Sequence, residues 1–336
     1  MKKLLISTAL LGAAIATGYP VIADEIRGHH KATIAVFGDW PYNDILLNNA
    51  SLLIDSVNQD PDVSLVIHVG DVHSGSMPCT SAGILNPVIP GSNPGWNQGI
   101  YYLFQQFKVP VVYTPGDNEW TDCHKSKQSK SGDPLKELAS VRSLFFARPG
   151  KTLGLEDRDV WSQAKYFDPA YPADAQFVEN VIWEDGKVEV AQRTNADIRW
   201  MKAAFDLAKA RHAKAVVIAL QADMWDPAAA AQNGDGLGGY TPFVQKLAIL
   251  SLKFRQPVLL LNGDSHIFEV DHPLEDPAST TGLIHKTPPV PNLTRITVQG
   301  STNKPAEWLR LTIDTDTSSV FSWQNVPYCK DPLTSC

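Results

Sequence analysis

The stretch LLLNGDSHIFEV, from Leu259 to Val270, begins as an apolar run, stops at Gly263-Asp264 and places His266 two residues further on. The same stop occurs in IAVFGDW (Ile34–Trp40), LVIHVGDVH (Leu65–His73) and VVYTPGDNE (Val111–Glu119). In open α/β sheets, ligands bind just beyond the carboxyl ends of the strands. A strand ending in Gly-Asp therefore delivers a carboxylate to that edge, and the glycine allows a sharp turn with room for a ligand. One such Asp is an ordinary turn residue or helix cap. Gly132-Asp133 and Gly234-Asp235 follow no apolar run and read as plain loops. Four at strand ends are different. If the strands are neighbours, Asp39, Asp71, Asp117 and Asp264 converge, and their mutual repulsion calls for bound cations. A metal site is expected there.

Around these ends, apolar runs alternate with amphipathic stretches. Strands are expected at 33–37, 64–69, 109–113, 215–220 and 257–261. Helices are expected at 44–57, 100–107, 134–146, 197–209 and 243–252, the third with Leu135, Leu138, Val141 and Phe145 inward. The segment VENVIWEDGKVEVAQ (residues 178–192) reads as a hairpin turning at Asp185-Gly186. From Arg295 onward the pattern is of strands only, taken as antiparallel. Residues 74–94 are rich in Pro, Gly and Ser, too long for an ordinary connection, and so functional or stapled. No linker or repeat divides the chain, so residues 24–336 are expected to form one domain.

The formal charge of −7 and the absence of a Lys/Arg cluster argue against a nucleic-acid surface. The densest basic segment, HKSKQSK at 124–130, reads as a solvated loop. Residues 1–23 have the layout of a signal peptide: Lys2 and Lys3, an apolar run from Leu4 to Ala16, then small residues. The run is too short to cross a bilayer, and no Cys offers a lipid anchor. A secreted or periplasmic protein is expected. Export favours disulfides for the four cysteines. Three pairings are possible, and closeness in sequence selects Cys79 with Cys123 and Cys329 with Cys336.

The ordered series GDW, GDVH, GDNE and GDSH resembles the calcineurin-like metallophosphoesterases, which include the purple acid phosphatases. Their motifs run D-x-H, G-D-x-x, G-N-H-[DE], a lone His after a strand, then G-H-x-H, and the resemblance spans Thr33 to about Thr312. It implies an α/β four-layer sandwich, two mixed sheets flanked by helices, with a centre of two divalent metal ions at the strand ends. It also implies hydrolysis of a small-molecule phosphate ester by a metal-activated hydroxide.

The match carries over residue by residue with departures. Asp39 stands at the first ligand position, with Pro41 where His is expected. Asp71 matches the Asp that bridges both metals. Asp117 replaces the ligand Asn, and Asn118 replaces the catalytic His. Gln221 stands for the lone His, with Asp223 two residues on. Asp264 replaces the first His of the last motif, and His266 keeps the second. Oxygen donors have thus displaced imidazoles, which favours Mn, Mg or Ca over an Fe/Zn pair. Asn118 can donate a hydrogen bond but is no acid near neutral pH. His73 is the first candidate proton donor and His124 the second. The lost imidazoles leave a second reading open: a non-catalytic relative that binds metal or a phosphorylated ligand. His68 is expected to be a satisfied core histidine, Glu119 a loop holder, and Trp40, Trp120 and Trp225 core rather than pocket walls.

Overall fold

The computed structural model describes residues 31–79, 95–164, 170–172, 174, 187–232 and 236–336. The segment read as a signal peptide and residues 80–94 lie outside them, as do Gly234-Asp235 and the first part of the expected hairpin. In chain order the elements are β1 (Lys31–Phe37), α1 (Asp44–Asn48), α2 (Ala50–Asn58), β2 (Val63–His68), α3 (Trp96–Phe104), β3 (Val111–Tyr113), α4 (Pro134–Phe145) and α5 (Lys187–Ala210). There follow β4 (Val216–Ala219), α6 (Pro227–Ala230), α7 (Thr241–Phe254), β5 (Val258–Asn262), β6 (Glu269–Asp271), α8 (Thr280–His285), β7 (Leu293–Thr297), β8 (Ala306–Asp314) and β9 (Phe321–Cys329).

The strands form two mixed sheets, ordered β3-β2-β1-β8-β9 and β4-β5-β7-β6. Alternation along the strands builds the layers. In β1, Ile34 and Val36 face the second sheet, where they meet Val217, Leu259 and Leu261. Ala35 and Phe37 face the other way, onto Leu53, Ile54 and Phe104 of α2 and α3. In β5, Leu259 and Leu261 join the inter-sheet core while Val258 and Leu260 pack with Phe205 of α5 and Val244 and Leu247 of α7. Both faces of each sheet are covered, which is why these strands read as unbroken apolar runs. The architecture is the expected α/β/β/α sandwich.

Several elements depart from the sequence reading. The expected hairpin's second half is the start of α5, a helix of 24 residues. The alternating Val188 and Val190 suggested a strand, but Ala196, Trp200, Met201, Ala204, Phe205 and Ala208 supply a buried helical face that decides the matter. The helix expected over 44–57 is two, broken at Asn49. Leu135 is 51% exposed, not inward. The late strands also divide: β7 pairs in parallel with β5, whereas β8 joins the first sheet antiparallel to β1 and β9 adds to its edge antiparallel to β8. Asp133, read as a plain loop residue, caps α4 by accepting from the Lys136 amide. The structure pairs Cys79 with Cys123 and Cys329 with Cys336.

Behind the second sheet, Arg295 is 1% exposed and holds three carboxylates. It donates to Asp223 at 2.5 Å, to both oxygens of Asp271 at 2.8 and 2.9 Å, and to Glu269 at 3.0 Å. Its guanidinium lies 5.4 Å from the Trp225 ring centroid. Arg295→Met keeps volume but leaves the buried Asp223 without its counter-charge. Unfolding in urea at unchanged slope is expected to show a loss of about 3–5 kcal/mol. A loss below about 1 kcal/mol would mean the network behaves as a surface pair.

Candidate metal centre

The β1–β2–β3 edge of one sheet and the β4–β5 edge of the other end on the same side, and the Gly-Asp loops meet there. The Asp264 amide lies 3.3 Å from both carboxylate oxygens of Asp39, which joins the last motif to the first across the two sheets. Asp39 is fully buried and Asp71 is 2% exposed. The aspartates themselves take the left-handed turn: φ is 50° at Asp39, 60° at Asp71 and 74° at Asp264. Asp tolerates this region better than most residues, but its recurrence three times at one site is the kind of local strain that functional sites carry. The expectation that glycine makes the turn is therefore corrected, since of the four motif glycines only Gly70 has positive φ. The others provide space. A Cβ on Gly116 would lie 1.9 Å from Asp71 Oδ1, and one on Gly263 would lie 2.5 Å from Asp39 Oδ2.

At the centre of the carboxylates sits the hydroxyl of Tyr42. It lies 3.0 Å from Asp39 Oδ1, 2.9 Å from Asp71 Oδ2 and 3.2 Å from His266 Nε2, and it accepts from Asn118 Nδ2 at 3.1 Å. Asn118 Nδ2 also donates to Asp71 Oδ2 at 2.8 Å, and Gln221 Nε2 donates to the same oxygen at 3.2 Å and to Asp117 Oδ1 at 3.4 Å. The Asn118 amide donates to Asp71 Oδ1. His266, with its side chain 36% exposed, sits 3.2 Å from Asp39 Oδ1. Asp264 Oδ2 accepts from the Asp223 amide at 2.9 Å. The structure thus brings together Asp39, Asp71, Asp117, Gln221, Asp264, His266 and Asn118. Tyr42 was missed, although Asp39-Trp40-Pro41-Tyr42 offered the signal: a hydroxyl three residues past a strand-end carboxylate can fold back onto it.

The charges explain what the cluster needs. Burial and the charge of Asp117 push Asp71 well above the ordinary carboxylate range, and burial with Asp264 does the same to Asp117. Burial raises Asp264 to about 7, with Asp39 adding to the effect. Burial and the charges of Asp39 and Asp71 also raise Tyr42, which stays a neutral phenol. Burial alone would lower His266, but the hydrogen bond and charge of Asp39 outweigh it and raise the imidazole. A phenol has one proton to share between two carboxylates, so its hydroxyl can donate to only one of Asp39 and Asp71 at a time.

Among the described residues, no three His, Cys, Asp or Glu side chains surround a single point. A phenol and two amides stand between the carboxylates. The donor chemistry nonetheless fits hard divalent cations. Carboxylate and amide oxygens with one imidazole suit Mg, Mn or Ca, and carboxyls forced to hold protons are groups that a cation relieves.

The remaining candidates separate clearly. The ring of His73 is buried and hydrogen-bonds only to Ser74 O among the described residues, while its carbonyl accepts from Asn118 Nδ2. Burial lowers its pKa, which suits a neutral support better than an acid. His124 is exposed and contacts Thr121 O at 2.8 Å, away from the carboxylates. His68 accepts from the Gly70 amide at Nδ1, so its Nε2–H donates to Trp40 O, tying the first two Gly-Asp loops together. Burial holds its pKa at about 4, hence neutral. Glu119 accepts from the Val72 amide and the Tyr113 hydroxyl. Trp40, Trp120 and Trp225 are at most 1% exposed and belong to the core.

Comparison with known proteins places this geometry. Among solved structures, GAP50, the anchor in the inner membrane complex of Plasmodium, is 11% identical with a TM-score of 0.41, covering 90% of each chain. A dimetal phosphatase from Danio rerio is 12% identical with a TM-score of 0.40, over 88% of this chain and 99% of its own. Neither likeness is close enough to bear on function. No curated protein matches the chain. A family model does: that of the calcineurin-like phosphoesterases matches residues 32–219, more than half of the 336. The chain belongs to the calcineurin-like phosphoesterase family.

Proposed function

We propose that this protein is an exported hydrolase of small phosphate esters that works with divalent cations held at the strand ends. The observation that carries the reading is the convergence of Asp39, Asp71, Asp117 and Asp264 at the strand ends, where burial and mutual charge raise Asp71, Asp117 and Asp264 above the ordinary carboxylate range, a strain that bound cations would relieve. Asp39, Asp71, Asp117, Asp264, His266 and Gln221 would hold the cations, two in the manner usual for this family. Bound cations supply polarisation of a phosphoryl oxygen and a nucleophile from water. The chain's own groups do the rest. Tyr42, a neutral phenol, orients Asp39 and Asp71 through its hydroxyl. Asn118, whose side-chain amide is engaged by Asp71, Tyr42 and the His73 carbonyl, holds the loop after β3 against the cluster. Asn118 stands where the family carries the imidazole that protonates the leaving group, so esters with acidic leaving groups are favoured. The two disulfides fit an oxidising compartment, in line with export.

The test is turnover of aryl phosphate mono- and diesters by protein loaded in turn with Mn, Mg, Ca, Zn and Fe. Cation-dependent turnover supports the reading; none with any metal refutes catalysis. The second reading, a phospho-ligand binder without turnover, is favoured by Asn118 in place of the imidazole. Under it, calorimetry registers binding without product, and the combined Asn118→His, Gln221→His and Asp264→His variant gains activity.

A further inference from the structure

The basic segment 124–130 reads from sequence as solvated surface, and nothing in the catalytic scheme above uses it. In the fold it comes back over the site. Two short 3₁₀ turns, Thr121–His124 and Ser126–Gln128, carry it, and Cys123 is bonded to Cys79 between them and the 74–79 loop. Gln128 is fully buried and donates from Nε2 to Asn118 Oδ1 at 3.2 Å. Its neighbour Lys127 is thereby set beside Asn118. A Cβ on Gly75 would lie 2.7 Å from Asn118 Oδ1 and 3.1 Å from Lys127 Nζ, so both groups close in on the spot where a side chain would otherwise stand.

Lys127 Nζ lies 2.6 Å from Asp122 Oδ2, and Lys125 Nζ lies 2.6 Å from Asp122 Oδ1. Two ammonium groups share one buried carboxylate, and Asp117 is the next carboxylate within reach of both Asp122 and Lys127. The side chain of Lys127 is 50% exposed, so its remaining N–H donors are open to solvent or to a ligand. Asp117 and Asp71 lie within the electrostatic reach of Lys127. An ammonium held by a carboxylate on one side and open on the other is a ready partner for a phosphoryl oxygen.

Resting on the phosphoesterase reading, we propose that Lys127, held by Asp122 and set beside Asn118, binds the substrate's phosphoryl group and makes a dianionic monoester the preferred substrate over a monoanionic diester. Removing one charge-assisted hydrogen bond corresponds to a loss of about tenfold to hundredfold in affinity.

The experiment uses the full mature chain, loaded with Mn, and inorganic phosphate as probe. Calorimetry on Lys127→Met is expected to show phosphate Kd raised about tenfold to hundredfold, with Lys127→Arg recovering most of it. With matched aryl phosphate mono- and diesters, KM for the monoester rises while kcat and the diester parameters change little. Gly75→Ala, whose methyl would press on Lys127 Nζ and Asn118 Oδ1 without removing either group, is expected to weaken phosphate as well and serves if Lys127→Met fails to fold. Phosphate affinity unchanged in both variants, or absent in the wild type, overturns the proposal. A wild type that binds phosphate through Lys127 yet turns over neither ester leaves this assignment standing and refutes the catalytic reading instead.

Discussion

Asp71→Ala is expected to remove cation-dependent turnover by on the order of 10³-fold or more, a barrier increase of about 4 kcal/mol. The Asp71 side chain is engaged from several directions at once. Its Oδ2 receives Tyr42, Asn118 and Gln221, and its Oδ1 receives the Asn118 amide. Those donors come from the loops after β1, β3 and β4, while Asp71 itself follows β2. Deleting the carboxylate therefore loses a ligand and loosens three loops at once. Asp71→Asn separates the two effects, since it keeps the shape and drops the charge. Both variants should lose calorimetric cation binding, with the Asn variant closer to wild type in unfolding temperature. Residual kcat/KM above about a tenth of wild type would show that the proposed bridging role is wrong.

The second large effect is on stability. In cation-free protein, Asp71, Asp117 and Asp264 all have raised values in the folded state. A folded carboxyl with a raised pKa binds more protons than its unfolded counterpart, so stability must fall as pH rises between the two values. For Asp264 that window runs from the ordinary 3.8 to about 7, and it amounts to about 4 kcal/mol as an upper bound. His266, also raised, acts in the same direction, its contribution being lost as pH climbs past its folded value. With EDTA present, the unfolding midpoint should therefore drop between pH 5 and pH 8. Saturating Mn should flatten the profile by replacing protons with cations, and binding at about 100 times Kd contributes about 2.7 kcal/mol. A flat profile in EDTA would mean the carboxyls are relieved by some other group.

Much of the site was legible because its residues are local to strand ends. A carboxylate directly after a buried strand can only emerge at the sheet edge, whatever the rest of the chain does. Tyr42 was harder, since its place depends on how the 38–43 loop closes over Asp71, a residue 29 positions away. Lys127 was harder still. Nothing in HKSKQSK distinguishes a solvated loop from one anchored by a buried glutamine and a disulfide. The expected hairpin failed for a related reason. A short alternation of Val is weaker evidence than the longer helical face that follows it, and only packing against the second sheet brings that face into play.

By itself the sequence determined which strands end in carboxylates, the cysteine pairs that lie close along the chain, and the family motif order with its exchanged imidazoles. The first follows from period over a few residues, where local sterics and burial decide the outcome; the second rests on closeness along the chain, and the third on the resemblance to the family. The tertiary structure alone decided that β8 and β9 complete the first sheet while β7 joins the second in parallel. It alone put a phenol between two aspartates and an ammonium beside Asn118. Those placements depend on contacts between residues far apart in sequence, and burial of the two sheets against each other is what brings them together.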